Sequence, residues 1–319
     1  MRNYSLFFVT LIFLISCQEN SRKIIDTSMI DVNYSISRFE VDFYESDGKN
    51  IETLKKTYPM LFPEEISDSV WRSKINDLDE QALYIETRKL YSNIDKLEND
   101  LTNLFKHIKY YFPEFNSPDV ITLLSNIDYN YRVIYTDKKL YLSLDAYLGA
   151  THPFYDDYPD YIKENNTQER ILVDIANKII QTKIKPSNNR TFLAKMIEAG
   201  KKLYLLDLYL PLTTDPIKMG YSKDKLDWAL SNEEEVWRYF IENKLLYNTD
   251  TKLNQRFLND APFSKFYLTE DRNSPGRIGQ WIGWQIVASF MENNDVSLEN
   301  LVSTRAEEIF KKSKYKPRK

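Results

Sequence analysis

The number of cysteines is the sequence feature that most constrains how this chain can fold. Cys17 is the only cysteine among the 319 residues, so no disulfide can form within the chain. The folded domain must therefore be stabilised by its hydrophobic core. A chain of about 300 residues is long enough for this, because it buries roughly 75% of its unfolded surface.

Cys17 also lies in an informative local context. An apolar run, 6–15, follows a single Arg and leads into Leu14-Ile15-Ser16-Cys17, the pattern of a bacterial lipobox. A run of this length is too short to span a bilayer, which takes about 20 helical residues. We expect a signal peptide over 1–16, cleavage before Cys17, and attachment of palmitate-like chains that anchor the protein in a membrane of the cell envelope. The alternative is an ordinary cleaved signal followed by a chance cysteine.

Composition and hydrophobic periodicity predict an α+β fold that is mostly helical. The chain is 42% hydrophobic and has only 7 Gly and 12 Pro, which argues against disorder and against a loop-rich all-β architecture. Apolar residues at 3-4 spacing predict an amphipathic helix over 94–112, and 191–210 reads as a buried helix. Short β-branched and alternating runs predict a small mixed or antiparallel sheet near 119–145. We divide the mature chain into a polar tether, 17–35, and a single globular domain, 36–319.

Local signals place several other elements. The segment 36–43 is either a strand or an extended lead-in, and 171–180 and 276–291 are apolar helices. Ser222 is expected to begin a helix. Ser231 and Glu234 form a capping-box pattern for a helix through about Leu246, and Thr304 and Glu307 form another for the last helix.

Charge is unevenly distributed along the chain. The net charge is −4, but the tail 311–319, KKSKYKPRK, carries six basic and no acidic side chains. Without this tail and the single Arg of the leader, 36 basic and 47 acidic side chains remain, so the body carries about −11. Such a tail either contacts anionic lipid or an acidic partner, or is a solvated terminus. There is no basic face or binding motif for nucleic acid.

Motifs for catalysis are missing. The two histidines, His107 and His152, do not form an HExxH or another metal-binding spacing, and the chain has no G-x-S-x-G or glycine-rich phosphate loop. The Tyr- and Asp-rich loop 149–158 around His152 either lines a site or is solvated. Its neighbours Asp156, Asp157 and Asp160 form either a polar loop or a weak cation site. We therefore predict no catalytic residue, metal or cofactor.

The most distinctive segment is 274–285, which contains three of the seven glycines and two of the five tryptophans. Its glycines recur at 3-4 spacing and so lie on one helix face. Glycine costs about 1 kcal/mol in a helix relative to alanine, which favours close packing of this face against another backbone. The alternative is a binding groove edged by Arg277, Trp281 and Trp284.

Six segments spread over the chain carry a family resemblance. They are FKHIKYYFPEF (105–115), MIEAGKKLY (196–204), EVWRYF (235–240), APFSKF (261–266), SPGRIGQWIGW (274–284) and KSKYKP (312–317). Over essentially its whole length the chain resembles the GldB family, gliding-motility lipoproteins of the Bacteroidetes. The resemblance implies a role in cell-surface motility, in machinery that overlaps with protein secretion, and no known enzymatic activity.

A second resemblance concerns the fold. A small sheet, two helices and then Gly-Arg-x-Gly-x-Trp-x-Gly are similar to a family of predicted zinc proteases, which suggests a degenerate zincin-like, metalloprotease-like scaffold. In that family the first helix after the sheet carries HExxH, whereas 173–177 here reads Val-Asp-Ile-Ala-Asn. Glu198 stands where such enzymes place a later acidic ligand. Kinship of fold does not transfer activity.

Three functions follow as hypotheses. The first is a non-enzymatic lipoprotein required for gliding, held to the bilayer through acylated Cys17 and bound to other gliding or secretion proteins. The second is a degenerate or unconventional peptidase-like envelope hydrolase, and the third is a chaperone or carrier for exported proteins. Because 18–21, Gln-Glu-Asn-Ser, is not a clear surface-export signal, we expect the protein to face the periplasm.

Overall fold

A small mixed sheet organises the first half of the chain. The computed structural model describes residues 25–46, 48–184 and 188–319. Its four strands are β1 (Ile36–Arg38), β2 (Asp119–Leu123), β3 (Val133–Tyr135) and β4 (Lys139–Ser143). They lie in the order β1-β2-β4-β3, with β1 and β4 parallel to β2, and β3 antiparallel to β4. The mostly helical α+β class and the sheet near 119–145 are therefore confirmed. The edge strand β1 comes from outside that range, and only three residues of 36–43 are strand.

Four short helices pack around a separate aromatic core next to the sheet. They are α1 (Phe39–Tyr44), α2 (Ile51–Thr57), α3 (Asp68–Ile75) and α4 (Leu78–Leu90). Phe43 lies at the centre of this core, where its ring meets the Trp71 indole edge-on at 6.1 Å between centroids. Asp77 caps α4, because its carboxylate accepts from the backbone N–H groups of Asp79 and Glu80.

The helix α5 (Asp95–Tyr111) follows the predicted amphipathic pattern. Its apolar positions Leu101, Leu104, Phe105 and Ile108 are fully buried in the main core, and Pro113 follows just beyond its end. The next two helices are α6 (Asp160–Lys163) and α7 (Ile171–Lys183).

Two long helices form the centre of the main core. They are α8 (Phe192–Tyr209) and α13 (Ile278–Asn293), which pack against each other along most of their length. The chain between and after them forms α9 (Asp215–Met219), α10 (Lys223–Ser231), α11 (Glu233–Glu242), α12 (Lys252–Phe257), α14 (Leu298–Ser303) and α15 (Ala306–Ser313). Within the described ranges, no helix has the length and apolar character needed to cross a membrane.

Two predicted helix starts are wrong, and both errors have the same cause. Ser231 is the last residue of α10, and α11 begins at Glu233 without a capping side chain and ends at Glu242. Thr304 ends α14, because its hydroxyl donates back to the Asn300 carbonyl at 2.6 Å. In each case only one or two residues separate two helices, so the predicted capping residue lies at the end of the preceding helix. The predicted start at Ser222 is confirmed, since its Oγ accepts from the Lys225 N–H at 3.3 Å.

The segment before β1 lies on the body. Tyr34 donates to the Glu98 carbonyl at 2.8 Å, and its ring meets Phe105 edge-on at 5.0 Å. Ser35 donates from its backbone N–H to Asp119 at 2.9 Å, and its carbonyl accepts from Val120. The described end of the predicted tether is therefore packed against α5 and β2.

Candidate functional site

Gly283, one of the regularly spaced glycines of 274–285, lies where α13 crosses α8, whereas Gly276 and Gly279 pack against the segment 257–261. A Cβ on Gly283 would overlap the Met196 carbonyl oxygen and lie 2.5 Å from its carbonyl carbon. A Cβ on Gly200 of α8 would in turn lie 2.7 Å from the Trp284 backbone nitrogen. Two helix backbones can approach this closely only where neither carries a side chain. The geometry matches the close-packing interpretation of the glycine pattern.

The two tryptophans of the predicted groove lie in the core. Trp281 and Trp284 are both buried, and their rings meet edge-on at 5.5 Å. The Trp284 indole N–H donates to one Asp207 carboxylate oxygen at 2.8 Å, while the Lys218 ammonium lies 2.9 Å from the other. Neither indole edges an accessible groove.

Arg277 lies closer to the surface, at the start of α13. It adopts a left-handed backbone conformation with φ of 59°. Its guanidinium donates to the Gly220 carbonyl at 3.2 Å, lies 3.3 Å from the Asp260 carboxylate, and sits 5.7 Å from the Tyr221 ring centroid. The cavity beside it has a volume of about 10 Å³, which is room for a single water molecule. Arg277 therefore clamps two loops together, and the structure does not bring it into one groove with the tryptophans.

A second set of charges lies on α7, at the position that the zinc-protease resemblance gives to HExxH. Asp174 accepts from Arg170 at 2.9 Å and from the Tyr147 hydroxyl at 3.0 Å, and Arg132 lies 3.7 Å away. Arg170 also donates to the Lys218 carbonyl at 3.2 Å. Burial, followed by Coulombic repulsion from the Asp174 carboxylate, raises the pKa of the Tyr147 phenol. These groups join α7, α9 and the end of the sheet.

The remaining candidate ligands are also engaged in local contacts. Glu198 pairs with Lys195 at 3.2 Å. His107 donates from Nδ1 to the Asn103 carbonyl of its own helix at 2.8 Å, and His152 accepts from the Phe154 N–H at 3.3 Å. Over the described part of the chain, no three His, Cys, Asp or Glu side chains are grouped so that they could hold a metal ion. The zincin-like hypothesis receives no support from this arrangement.

The basic tail is partly docked. The Tyr315 hydroxyl donates to the buried Glu233 carboxylate at 2.8 Å, and the Arg318 backbone N–H donates to the same oxygen at 3.3 Å. The Tyr315 ring also meets Trp237 edge-on at 5.3 Å. Burial raises the pKa of Glu233, and the hydrogen bond from Tyr315 opposes that rise. Cys17 lies outside the described residues.

One surface feature escaped sequence reasoning. Exposed aromatic and apolar residues lie in β3, in the loop before it and in the loop 149–158: Tyr129, Tyr131, Ile134 and Phe154. Tyr129 packs edge-on against Tyr158 at 5.7 Å, which joins the two loops. The sequence signal for it is the density of tyrosine and aspartate, which is high in the loop before β3 as well as in the loop 149–158.

The fold and these contacts define the class of protein. It is a mostly helical α+β body in which the buried Asp207 and Lys218 form an ion pair, and a few aromatic residues, among them Tyr129 and Tyr131, are exposed on loops. The chain belongs to the family described as gliding motility protein GldB, whose sequence profile matches residues 20–317. The family is a motility component and not a known enzyme family. No curated protein and no solved structure matches the chain.

Proposed function

We propose that this chain is a lipid-anchored, non-enzymatic component of the gliding machinery that acts by binding other envelope proteins. Cys17 carries the lipid, the domain faces the periplasm, and the partners are other gliding or secretion proteins. Family membership supports the motility role. The lipobox pattern Leu14-Ile15-Ser16-Cys17 supports the anchor.

The non-enzymatic part of the proposal rests on how the charged side chains inside the domain are arranged. At a hydrolytic centre, acid and base groups face a cleft that admits substrate. Here the buried Asp207 faces Lys218 and the Trp284 N–H, the partly buried Asp174 faces Arg170 and the Tyr147 hydroxyl, and the cavity at Arg277 holds no more than one water. Groups arranged in this way position helices, which favours a body that works through its outer surface.

The anchor is tested by replacing Cys17 with serine in cells that lack their own copy of the protein. We expect loss of metabolically incorporated palmitate, release of the protein from the membrane fraction, and loss of gliding on agar. Protein level is followed by immunoblot, and an exposed substitution, Glu64→Gln, serves as the matched control. Undiminished gliding by a non-acylated Cys17→Ser protein would contradict the proposal.

The non-enzymatic part is tested separately by measuring metal in the purified full chain. We expect substoichiometric zinc and no hydrolysis of envelope peptides. Zinc bound at one equivalent, and removed together with a peptidase activity by a chelator, would overturn it. Protection of the domain from added protease in intact cells, but not in cells with a permeabilised outer membrane, tests the periplasmic orientation.

A further inference from the structure

An aromatic surface with an acidic rim lies at the end of the sheet where β3 begins. We define this tyrosine surface by Tyr129, Tyr131, Ile134 and Phe154, with a rim of nearby aspartates. The four side chains are 44, 57, 43 and 36% exposed. Tyrosine exposed on loops is the residue type that most often anchors protein interfaces, because it offers a large rigid contact area with little conformational entropy to lose.

The two loops that carry this surface are held to each other by buried and partly buried hydrogen bonds. The Asp145 carboxylate accepts from the backbone N–H groups of Ser125, at 3.0 Å, and of Ile127, at 2.6 Å. Tyr158 donates to the Ile127 carbonyl at 2.5 Å, and Tyr155 donates to the Asp145 carbonyl at 2.5 Å. The aromatic rings are therefore presented on a preorganised platform, which lowers the entropic cost of binding.

Ring contacts extend this platform from one loop to the other. Tyr158 stacks with Tyr155 at 6.1 Å between centroids, and His152 lies 5.9 Å from Tyr155 and 4.8 Å from Phe154. Together with the contact between Tyr129 and Tyr158, these ring contacts connect Tyr129 to Phe154 through the fully buried Tyr155 ring. The exposed rings of the two loops are therefore held in place by a buried aromatic contact.

The rim is negatively charged. Asp128, Asp156 and Asp157 have no ion-pair partner among the residues that the structure describes, whereas Asp160 pairs with Lys163 at 3.1 Å. The arginine of this loop, Arg132, is turned inward to the Ile162 carbonyl and Asp174. Uncompensated carboxylates around exposed rings attract cations, and the faces of the rings bind guanidinium and ammonium groups directly.

We infer that the tyrosine surface docks a segment of a partner protein that is rich in arginine and lysine. The inference rests on the proposed function, because it assigns a partner chemistry to a protein that acts by contact. Charge complementarity selects the basic segment, and the aromatic rings favour arginine, whose planar guanidinium stacks on tyrosine. The carboxylates of the rim raise the association rate of a basic segment, and the contacts of the aromatic rings lower its dissociation rate.

The test uses the full lipidated chain in nonionic detergent and two fluorescent probes, deca-arginine and deca-lysine. We expect deca-arginine to bind more tightly at equal charge. Tyr129→Ala/Tyr131→Ala should weaken deca-arginine binding about tenfold and remove the preference for arginine. Asp156→Asn/Asp157→Asn should weaken both probes about threefold and flatten the dependence of binding on salt.

Matched controls lie elsewhere on the chain. Tyr247 and Tyr267 are exposed tyrosines outside this surface, and Glu64 and Glu65 are an exposed acidic pair. Tyr247→Ala/Tyr267→Ala and Glu64→Gln/Glu65→Gln should leave both affinities within about twofold of the wild type. Equal losses in control and test variants, or equal binding of the two probes in the wild type, would overturn the inference. Circular dichroism shows whether each variant is folded.

A photoreactive residue placed at Tyr131 in living cells identifies the occupant. Support requires a crosslink to an arginine- or lysine-rich segment of another protein, located by peptide mass spectrometry. Crosslinks to lipid, or to a second copy of this chain, would overturn the inference. Its failure is distinguishable from failure of the proposed function: gliding lost with Cys17→Ser but retained with Tyr129→Ala/Tyr131→Ala would leave the anchored contact protein intact and exclude this surface.

Discussion

Replacing Gly283 with alanine should destabilise the protein, although the same change stabilises an ordinary exposed helix. Alanine gains about 1 kcal/mol over glycine in helix propensity. Here, however, the new methyl group would lie 2.5 Å from the Met196 carbonyl carbon, and ordinary van der Waals contact begins at 3.4 Å. The atoms that it meets belong to the α8 backbone, which cannot rotate away as a side chain can.

The magnitude follows from the separation that the methyl group imposes. The helices α8 and α13 would have to move apart by about 1 Å, and this loosens the contacts of Trp281 and Trp284 with the core; overpacking of this kind costs about 1–3 kcal/mol and occasionally more. Because backbone meets backbone, we expect a net loss of about 2–4 kcal/mol and a fall in Tm of roughly 3–6 °C.

The assay is guanidinium denaturation of the full chain in nonionic detergent, followed by circular dichroism and tryptophan fluorescence. Gln285→Ala, a partly exposed position on the same helix, is the control and should change stability by less than about 0.5 kcal/mol. Gly200→Ala/Gly283→Ala should cost less than the sum of the single changes, because both methyl groups force open the same crossing. A Gly283→Ala protein as stable as the wild type would refute the close-packing account.

Three further predictions concern buried polar groups. Lys218→Met leaves the buried Asp207 carboxylate without its ammonium partner and should cost about 3–5 kcal/mol in denaturation experiments. Burial raises the pKa of Asp145 to about 6 from 3.8, so the folded state binds this proton more tightly than the unfolded chain. The resulting stabilisation, up to about 3 kcal/mol, is complete below pH 3.8 and is lost as the pH rises through 6; Asp145→Asn should remove this dependence. Tyr315→Phe deletes the hydroxyl that donates to Glu233 and should cost about 1–2 kcal/mol, with faster tryptic cleavage of the tail.

Each of these predictions has a control and an outcome that contradicts it. Lys225→Met, which breaks a more exposed ion pair with Glu164, should cost less than about 1 kcal/mol. If Lys218→Met lowers the free energy of unfolding by no more than this control, the buried pair does not contribute more to stability than the exposed pair. Parallel stability profiles of wild type and Asp145→Asn between pH 4 and 7 would contradict the assignment of the raised pKa. Unchanged cleavage of the Tyr315→Phe tail would show that Glu233 does not hold it.

Periodic features were predictable from the sequence because they repeat within one element. The apolar face of α5 follows from the 3-4 spacing of its apolar residues, and the structure buries that face. The glycines of α13 similarly indicated a backbone contact, although the partner Gly200 lies 83 positions earlier and carries no matching pattern. The sheet near 119–145 was predictable from short β-branched runs, and a strand within 36–43 was one of two alternatives, but the parallel pairing of β1 with β2 was not predictable, since three residues do not specify a partner strand.

Contacts between distant elements were beyond sequence reasoning. Trp284, Asp207 and Lys218 meet in three dimensions from three helices, and although the helices of Trp284 and Asp207 were predicted to be apolar or buried, nothing in the local sequence indicates that these three residues meet. The groove hypothesis failed to anticipate the buried indoles for this reason. The capping-box patterns at Ser231 and Thr304 predicted wrong helix starts, because a Ser or Thr residue can lie at the end of one helix as well as at the start of the next.

The packed segment before β1 has a mechanical consequence. From Cys17 to Asp31 the chain can extend at most roughly 50 Å, and the Asp31 carbonyl then accepts from Lys109 at 2.7 Å. If Cys17 holds the lipid as proposed, a pull between the membrane and a bound partner reaches the body at Tyr34 and Ser35, which are bonded to α5 and β2. Load would enter the sheet and the main core directly, so the domain would transmit tension as a stiff link in a moving assembly.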